Sequence, residues 1–215
     1  MNSPRSITAP PVKGDFAKAR GYAGKGLKLI SSKVADVFLE EISRDQPENA
    51  TLAKLGYFWT GTMVAYPPAG RTFGHQQEYY SRPFFYVMDT REFSNVAGAA
   101  LVFDNFRMVE DKQKRMIFPI EPIVMFDFPQ ESGWFPIDPE TAVPSRAGIS
   151  RRFLWRTKEG RVGPVVRAHG HNGWAISDIF LHHRMNENFS VVVTSDEQQE
   201  PESDNVVVFP KRGLI

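Results

Sequence analysis

Between residues 146 and 167 the chain carries Arg146, Arg151, Arg152, Arg156, Lys158, Arg161 and Arg167 against one acid, Glu159, with Phe153 and Trp155 set among them. A single-stranded nucleic acid asks for this chemistry: cations that track the phosphates and flat rings on which bases stack. On a strand, alternation puts Arg152, Leu154 and Arg156 on one face and Arg151, Phe153 and Trp155 on the other. Arg146, Arg151, Arg152, Phe153, Trp155, Arg156, Lys158, Arg161 and Arg167 are therefore the candidate nucleic-acid-binding set. A half-buried hairpin with outward arginines and inward rings shows the same pattern. No nucleic-acid-binding motif is matched.

Histidine supplies a second constellation. Four of the five histidines fall at 169, 171, 182 and 183. His169-x-His171 on a strand places both rings on one face, where they can bind a metal, and Asp178 can add a carboxylate. The candidate ligands are His169, His171, Asp178 and His182. Adjacent His182 and His183 point apart on a strand, and the spacings fit no metal motif.

A third candidate is acid/base. Glu121 and Asp127 flank an apolar run at even spacing, and Asp104 precedes them. A carboxyl buried there has a raised pKa and can act as a general acid. Charges at strand ends also discourage edge-to-edge pairing, which explains them without catalysis. Ser145, Ser150 and Ser177 stand in no nucleophile-elbow context. The glycines of GYAGKG at 21–26 follow no strand and lack the Gly-Lys-Ser/Thr ending of a phosphate loop. The absence of cysteine excludes disulfides, thiolate metal sites and cysteine nucleophiles.

The elements that must position these residues centre on RMIFPIEPIVMFDF at 115–128, the most apolar run in the chain. Pro119 and Pro122 cannot donate to a ladder, so the run is an edge strand or two short strands with a bend. The charged turn VEDKQKR at 109–115 predicts a hairpin of 98–108 with 115–126, and Gly98 suggests a bulge or a close backbone approach. LGYFWTGTMVAY at 55–66 predicts a strand closed by Pro67-Pro68. Residues 129–150, with four prolines and two glycines, read as a long loop. RRFLWRT at 151–157 and RVGPVVRA at 161–168 read as two strands around Lys158-Glu159-Gly160.

Leu27, Ile30, Val34, Val37, Phe38 and Ile42 follow helical spacing and predict a helix over about 27–44. Residues 1–26 read as a basic Pro/Gly-rich arm, and residues 1–33 hold seven cations against Asp15 alone. SDEQQEPESD at 195–204 carries five acids and no base, a solvated linker before the apolar NVVVFPKRGLI. The expected fold is α+β: mostly antiparallel β-sheet, sandwich or barrel-like, with one N-terminal amphipathic helix and extended polar arms. The expected division is arm 1–26, a single β-rich domain 27–194, and 195–215 as linker and docking tail.

A net charge of +1 selects no partner by overall field. The expected function is a non-enzymatic binding protein for single-stranded nucleic acid, or an accessory to nucleic-acid processing. A structural subunit of a large complex, such as a phage particle, self-associating through 1–26 and 205–215, is the alternative. A metal-dependent enzyme using the 169–183 histidines is the third. No cofactor is implied. No stretch matches a signal peptide or approaches a membrane span, so a cytoplasmic location is expected.

Overall fold

The computed structural model describes residues 6–8, 12–14, 16–23, 27–37, 56–67, 70, 79–81, 85–87, 97–111, 114–148, 150–155, 161–169, 175–179 and 189–195. In chain order they form β1 (Ser6–Thr8), α1 (Phe16–Ala23), β2 (Leu27–Leu29) and the long strand β3 (Tyr57–Tyr66). The short strands β4 (Tyr79–Ser81) and β5 (Phe85–Val87) follow. Then come β6 (Ala100–Phe103), β7 (Asn105–Asp111), β8 (Lys114–Ile120), β9 (Ile123–Met125) and β10 (Gly133–Ile137). The last are β11 (Ser150–Trp155), β12 (Arg161–His169), β13 (Ala175–Ile179), β14 (Ser190–Val191) and β15 (Val193–Ser195). The fold is α+β and mostly antiparallel.

A six-stranded sheet in the order β13-β12-β3-β6-β9 holds the centre, with β14 parallel to the first half of β3. β3 runs YFWTGTMVAY, rich in the aromatic and β-branched residues that fill a pleated surface. It is buried on both faces. Trp59, Met63 and Ala65 pack with Phe16, Leu101, Phe103 and Val166, whereas Val64 and Tyr66 pack with Phe128, Trp155 and Val165. Both faces of a central strand must be apolar when other elements cover both, which is why the run does not alternate.

The expected hairpin is present and bends between sheets. β6 pairs β9 in the six-stranded sheet, and β7 pairs β8 in a four-stranded sheet ordered β4-β5-β8-β7. The crossing lies at Asp104 on one arm and Glu121-Pro122 on the other. Glu121 adopts φ 54°, a left-handed turn position. The run 115–128 is thus two strands with a bend. Gly98 takes φ +80° with open space where a Cβ would stand, so a turn conformation, not close approach, requires it.

The structure departs from several expectations. Residues 27–29 are a strand, with Lys28 exposed between half-buried Leu27 and Leu29, and helix begins only at residue 32. Ser31 caps it, accepting the Val34 amide on Oγ at 3.2 Å and the Ala35 amide on its carbonyl at 2.8 Å. The strand's in-out-in pattern over 27–29 and the following turn together mimic helical spacing. Residues 38–44 lie outside the described residues.

Described parts of the expected arm are packed against the domain. β1 pairs β15, and α1 buries Phe16, Ala19 and Ala23 in the main core. Residues 12–14 run beside 189–191, and the Trp59 indole donates to the Gly14 carbonyl at 2.8 Å. Small alanines let α1 lie close to the sheet, so an arm by composition is core by packing.

β11 pairs β10, with Phe135 opposite Phe153 and Gly133 opposite Trp155. β12 pairs β3 and β13. The two strands expected to pair around Lys158-Glu159-Gly160 therefore go to different ladders. Trp155 decides this, because its ring is needed against Phe128 in the core, 5.3 Å away and edge-on. The loop expected at 129–150 contains β10 and an ordered return. Gly148 allows it: a Cβ there would stand 2.3 Å from the Ile137 carbonyl oxygen.

Candidate functional site

Of the nine residues of the expected nucleic-acid face, Arg146, Trp155 and Arg167 have described side chains, and two of these are buried. Trp155 is fully buried, so it offers no ring face to a base. Arg167 is also fully buried. Its Nη2 donates to the Asp36 carboxylate at 2.8 Å, and its Nη1 donates to the Ser32 hydroxyl at 3.0 Å and the Ala142 carbonyl at 3.2 Å. A guanidinium with its hydrogen bonds turned inward does not track phosphates. Arg146 is exposed and clamps both oxygens of the Glu131 carboxylate, at 2.9 and 2.7 Å. That contact holds the Glu131 carboxyl below the usual range. Arg151, Arg152 and Phe153 lie on β11 and Arg161 on β12, with side chains outside the described residues, as are Arg156 and Lys158 altogether.

Of the metal set, His169 and Asp178 are described. His169 pairs Ala175 and Asp178 pairs Val166, three rungs apart in the β12/β13 ladder, or about 10 Å of strand. His171 and His182 lie outside the described residues. Among the described residues no group of three His, Asp or Glu is placed to hold a metal. Glu121 and Asp127 are both exposed turn residues with positive φ, at the ends of the apolar run and not in its core.

A different basic and aromatic arrangement is present. A cleft of about 520 Å³ opens between α1 and β2 on one side and the start of β7 on the other. Arg20, Lys28, Asp104, Asn105 and Phe106 line it. α1 presents Arg20 from the turn before its buried Ala23, and β2 presents Lys28 from its exposed middle position. The Arg20 guanidinium stacks 4.2 Å from the centroid of the Phe106 ring. One strand position further, Arg107 stacks 4.5 Å from the Phe118 ring. Each stack fixes a flat cation against a ring, and Arg20 also reaches the Met108 sulfur at 4.0 Å. Lys18, exposed on α1, donates to the Lys13 carbonyl at 2.8 Å, so two further cations stand on this segment.

Asp104 lies where the hairpin changes sheets. The Thr62 hydroxyl donates to its carboxylate, and the same Thr62 oxygen accepts the Ser32 amide at 2.8 Å. Desolvation raises the Asp104 carboxyl above its ordinary range, and the Thr62 hydrogen bond pulls the other way. The cleft thus has one ring-backed cation, Arg20, a second cation, Lys28, and one carboxyl with a weakened tendency to ionise, whereas the Arg107–Phe118 stack lies outside its lining.

The sequence displays Arg20 and Lys28 among the cations of residues 1–33, but it holds no sign that Phe106 faces them. Phe106 sits 86 positions from Arg20 in a strand whose neighbours are set by the bend at Asp104. Comparison of the chain with models of protein families, with curated proteins and with solved structures finds no match.

Proposed function

We propose that the protein is a non-enzymatic binding protein for single-stranded nucleic acid, and that the strand lies along the cleft between α1, β2 and β7. The observation that carries this reading is Arg20 stacked on Phe106, with Lys28 on the same cleft. Cations answer the phosphates and a guanidinium plane backed by a ring answers a base. A volume of about 520 Å³ suits one or two nucleotides at a time.

The test is fluorescence polarisation of a labelled single-stranded oligonucleotide at several salt concentrations. Binding should weaken with salt, with a log–log slope of about −0.7 per phosphate neutralised. Lys28→Ala should flatten the slope by about that amount, and Arg20→Ala should cost about 1–3 kcal/mol in affinity. Binding that ignores salt, or that both variants leave intact, defeats the reading.

A second reading, a subunit of a larger assembly, has its own support. Ile120, Ile123, Phe126 and Trp134 are large apolar side chains exposed on one stretch from β8 to β10. Light scattering of the full chain tests it: a defined oligomer supports assembly and a strict monomer opposes it.

A further inference from the structure

The hairpin bend makes a second cleft, of about 180 Å³, on the side of Asp104 that faces β9. Ile120 and Ile123 wall it, and Asp104, Glu121 and Glu140 contribute carboxyls. Ile120 and Ile123 are 43% and 38% exposed, and Phe126 just beyond them is 52% exposed. β9, which carries Ile123, is the last strand of its sheet among the described residues. An end strand presents backbone donors and acceptors, and exposed large apolar side chains beside it mark a surface for association. An occupant must bring an extended backbone, apolar side chains and positive charge.

We propose that this surface receives the chain's own C-terminal segment, residues 205–215, laid as an added strand beside β9. NVVVFPKRGLI has the required composition in the required order: Val206, Val207, Val208 and Phe209 form a β-prone apolar run, and Lys211 and Arg212 follow it. The valines and Phe209 cover Ile120, Ile123 and Phe126. Lys211 and Arg212 meet Glu121 and Glu140. The five acids at 196–204 are repelled by the same carboxylates, so that stretch serves as spacer and not as ligand.

Length permits the docking. Nine residues lie between Ser195, the end of β15, and Asn205, and the ten steps span at most about 33 Å. A domain of this size has a radius of gyration of about 17 Å, so the extended spacer covers about twice that distance. The docking rests on the assembly reading only for delivery between copies, and it is independent of nucleic-acid binding.

The experiment places a photoreactive benzophenone amino acid at Ile123, and in a second protein at Phe126, of the full chain. Irradiation and peptide mass spectrometry follow. The expected cross-links join these positions to residues 205–215. Lys211→Glu with Arg212→Glu should cut the yield about fivefold or more, and Glu121→Lys with Glu140→Lys in the same chain should restore it. Cross-links to another segment, or none from two folded proteins, overturn the proposal. A linked product of one-chain or of two-chain mass equally supports docking, and only the two-chain product supports assembly. An oligomer without this cross-link leaves assembly standing and removes the docking.

Discussion

Arg167 reaches across the interior to Asp36, its Nη2 2.8 Å from the carboxylate, with the guanidinium fully buried and the carboxyl side chain 18% exposed. The same guanidinium holds Ser32 and the Ala142 carbonyl, so one side chain on β12 fixes both the helical turn at 32–37 and the 138–143 loop. That loop is tightened by Asp138, whose carboxylate accepts the Glu140 and Thr141 amides at 3.0 and 2.8 Å.

Arg167→Ala should destabilise the protein by about 3–5 kcal/mol, because Asp36 and the Ser32 hydroxyl lose their donor together and the Ala142 carbonyl keeps only the Ser32 hydroxyl, at 2.8 Å. Arg167→Lys should recover little, since an ammonium cannot serve three acceptors in that fork geometry. Urea unfolding of the three proteins measures both.

Trp155→Ala should cost about 3–5 kcal/mol through the cavity it leaves against Phe128. Trp155→Phe should be far milder, within about 1 kcal/mol, because the buried indole N–H has no acceptor among the described residues and nothing is lost with it. Neither change should alter oligonucleotide affinity at fixed salt. Weaker binding by the folded Trp155→Phe protein would put the ring in the interface after all.

The raised Asp104 carboxyl gives a signed pH effect. The folded chain holds that proton to higher pH than the unfolded chain does, so the group costs stability as pH rises through and above the ordinary value of 3.8. Below that value the cost vanishes. Asp104→Asn keeps an oxygen for the Thr62 hydroxyl and removes the charge, so it should raise the melting temperature at pH 7 and converge with wild type near pH 4. Glu131 runs the opposite way, its lowered carboxyl contributing only above its folded value, but the exposed pair with Arg146 is worth less than about 1 kcal/mol.

Two glycines separate conformation from space. Gly98→Ala meets no atom within 4 Å but must hold φ +80°, a cost of about 1–2 kcal/mol. Gly148→Ala drives its Cβ into the Ile137 carbonyl and must displace the 144–148 return, costing about 1–3 kcal/mol or more. Thermal unfolding should rank Gly148→Ala the worse.

The sequence is legible where structure is local. Tyr57–Tyr66 and the hairpin around VEDKQKR can be read because turn residues and apolar runs mark them directly. Proline does its expected work at 122. Partner choice cannot be read. β11 has a turn and a strand after it, yet it pairs backward with β10 because burying Trp155 outweighs a short connection. Arg167 reads as solvent-facing because a charge in a strand usually is, and its three acceptors are 25 to 135 positions away. α1 leaves little trace because, of its residues Phe16, Ala19 and Ala23 buried in the core, two are alanine. For the candidate cleft, the cations are visible and their rings are not.

The first and last described strands are neighbours, with Ser6 opposite Ser195. Because they run antiparallel, the chain enters β1 and leaves β15 at the same rung. Tension applied to the two ends therefore loads the ladder across its strands, and its hydrogen bonds break singly, in sequence. The tear runs on through the contacts of 12–14 with 189–191 until it meets Trp59 on Gly14. A force on the ends would open this molecule like a zipper from one seam, baring the core face under α1 while Arg167 still grips the opposite side.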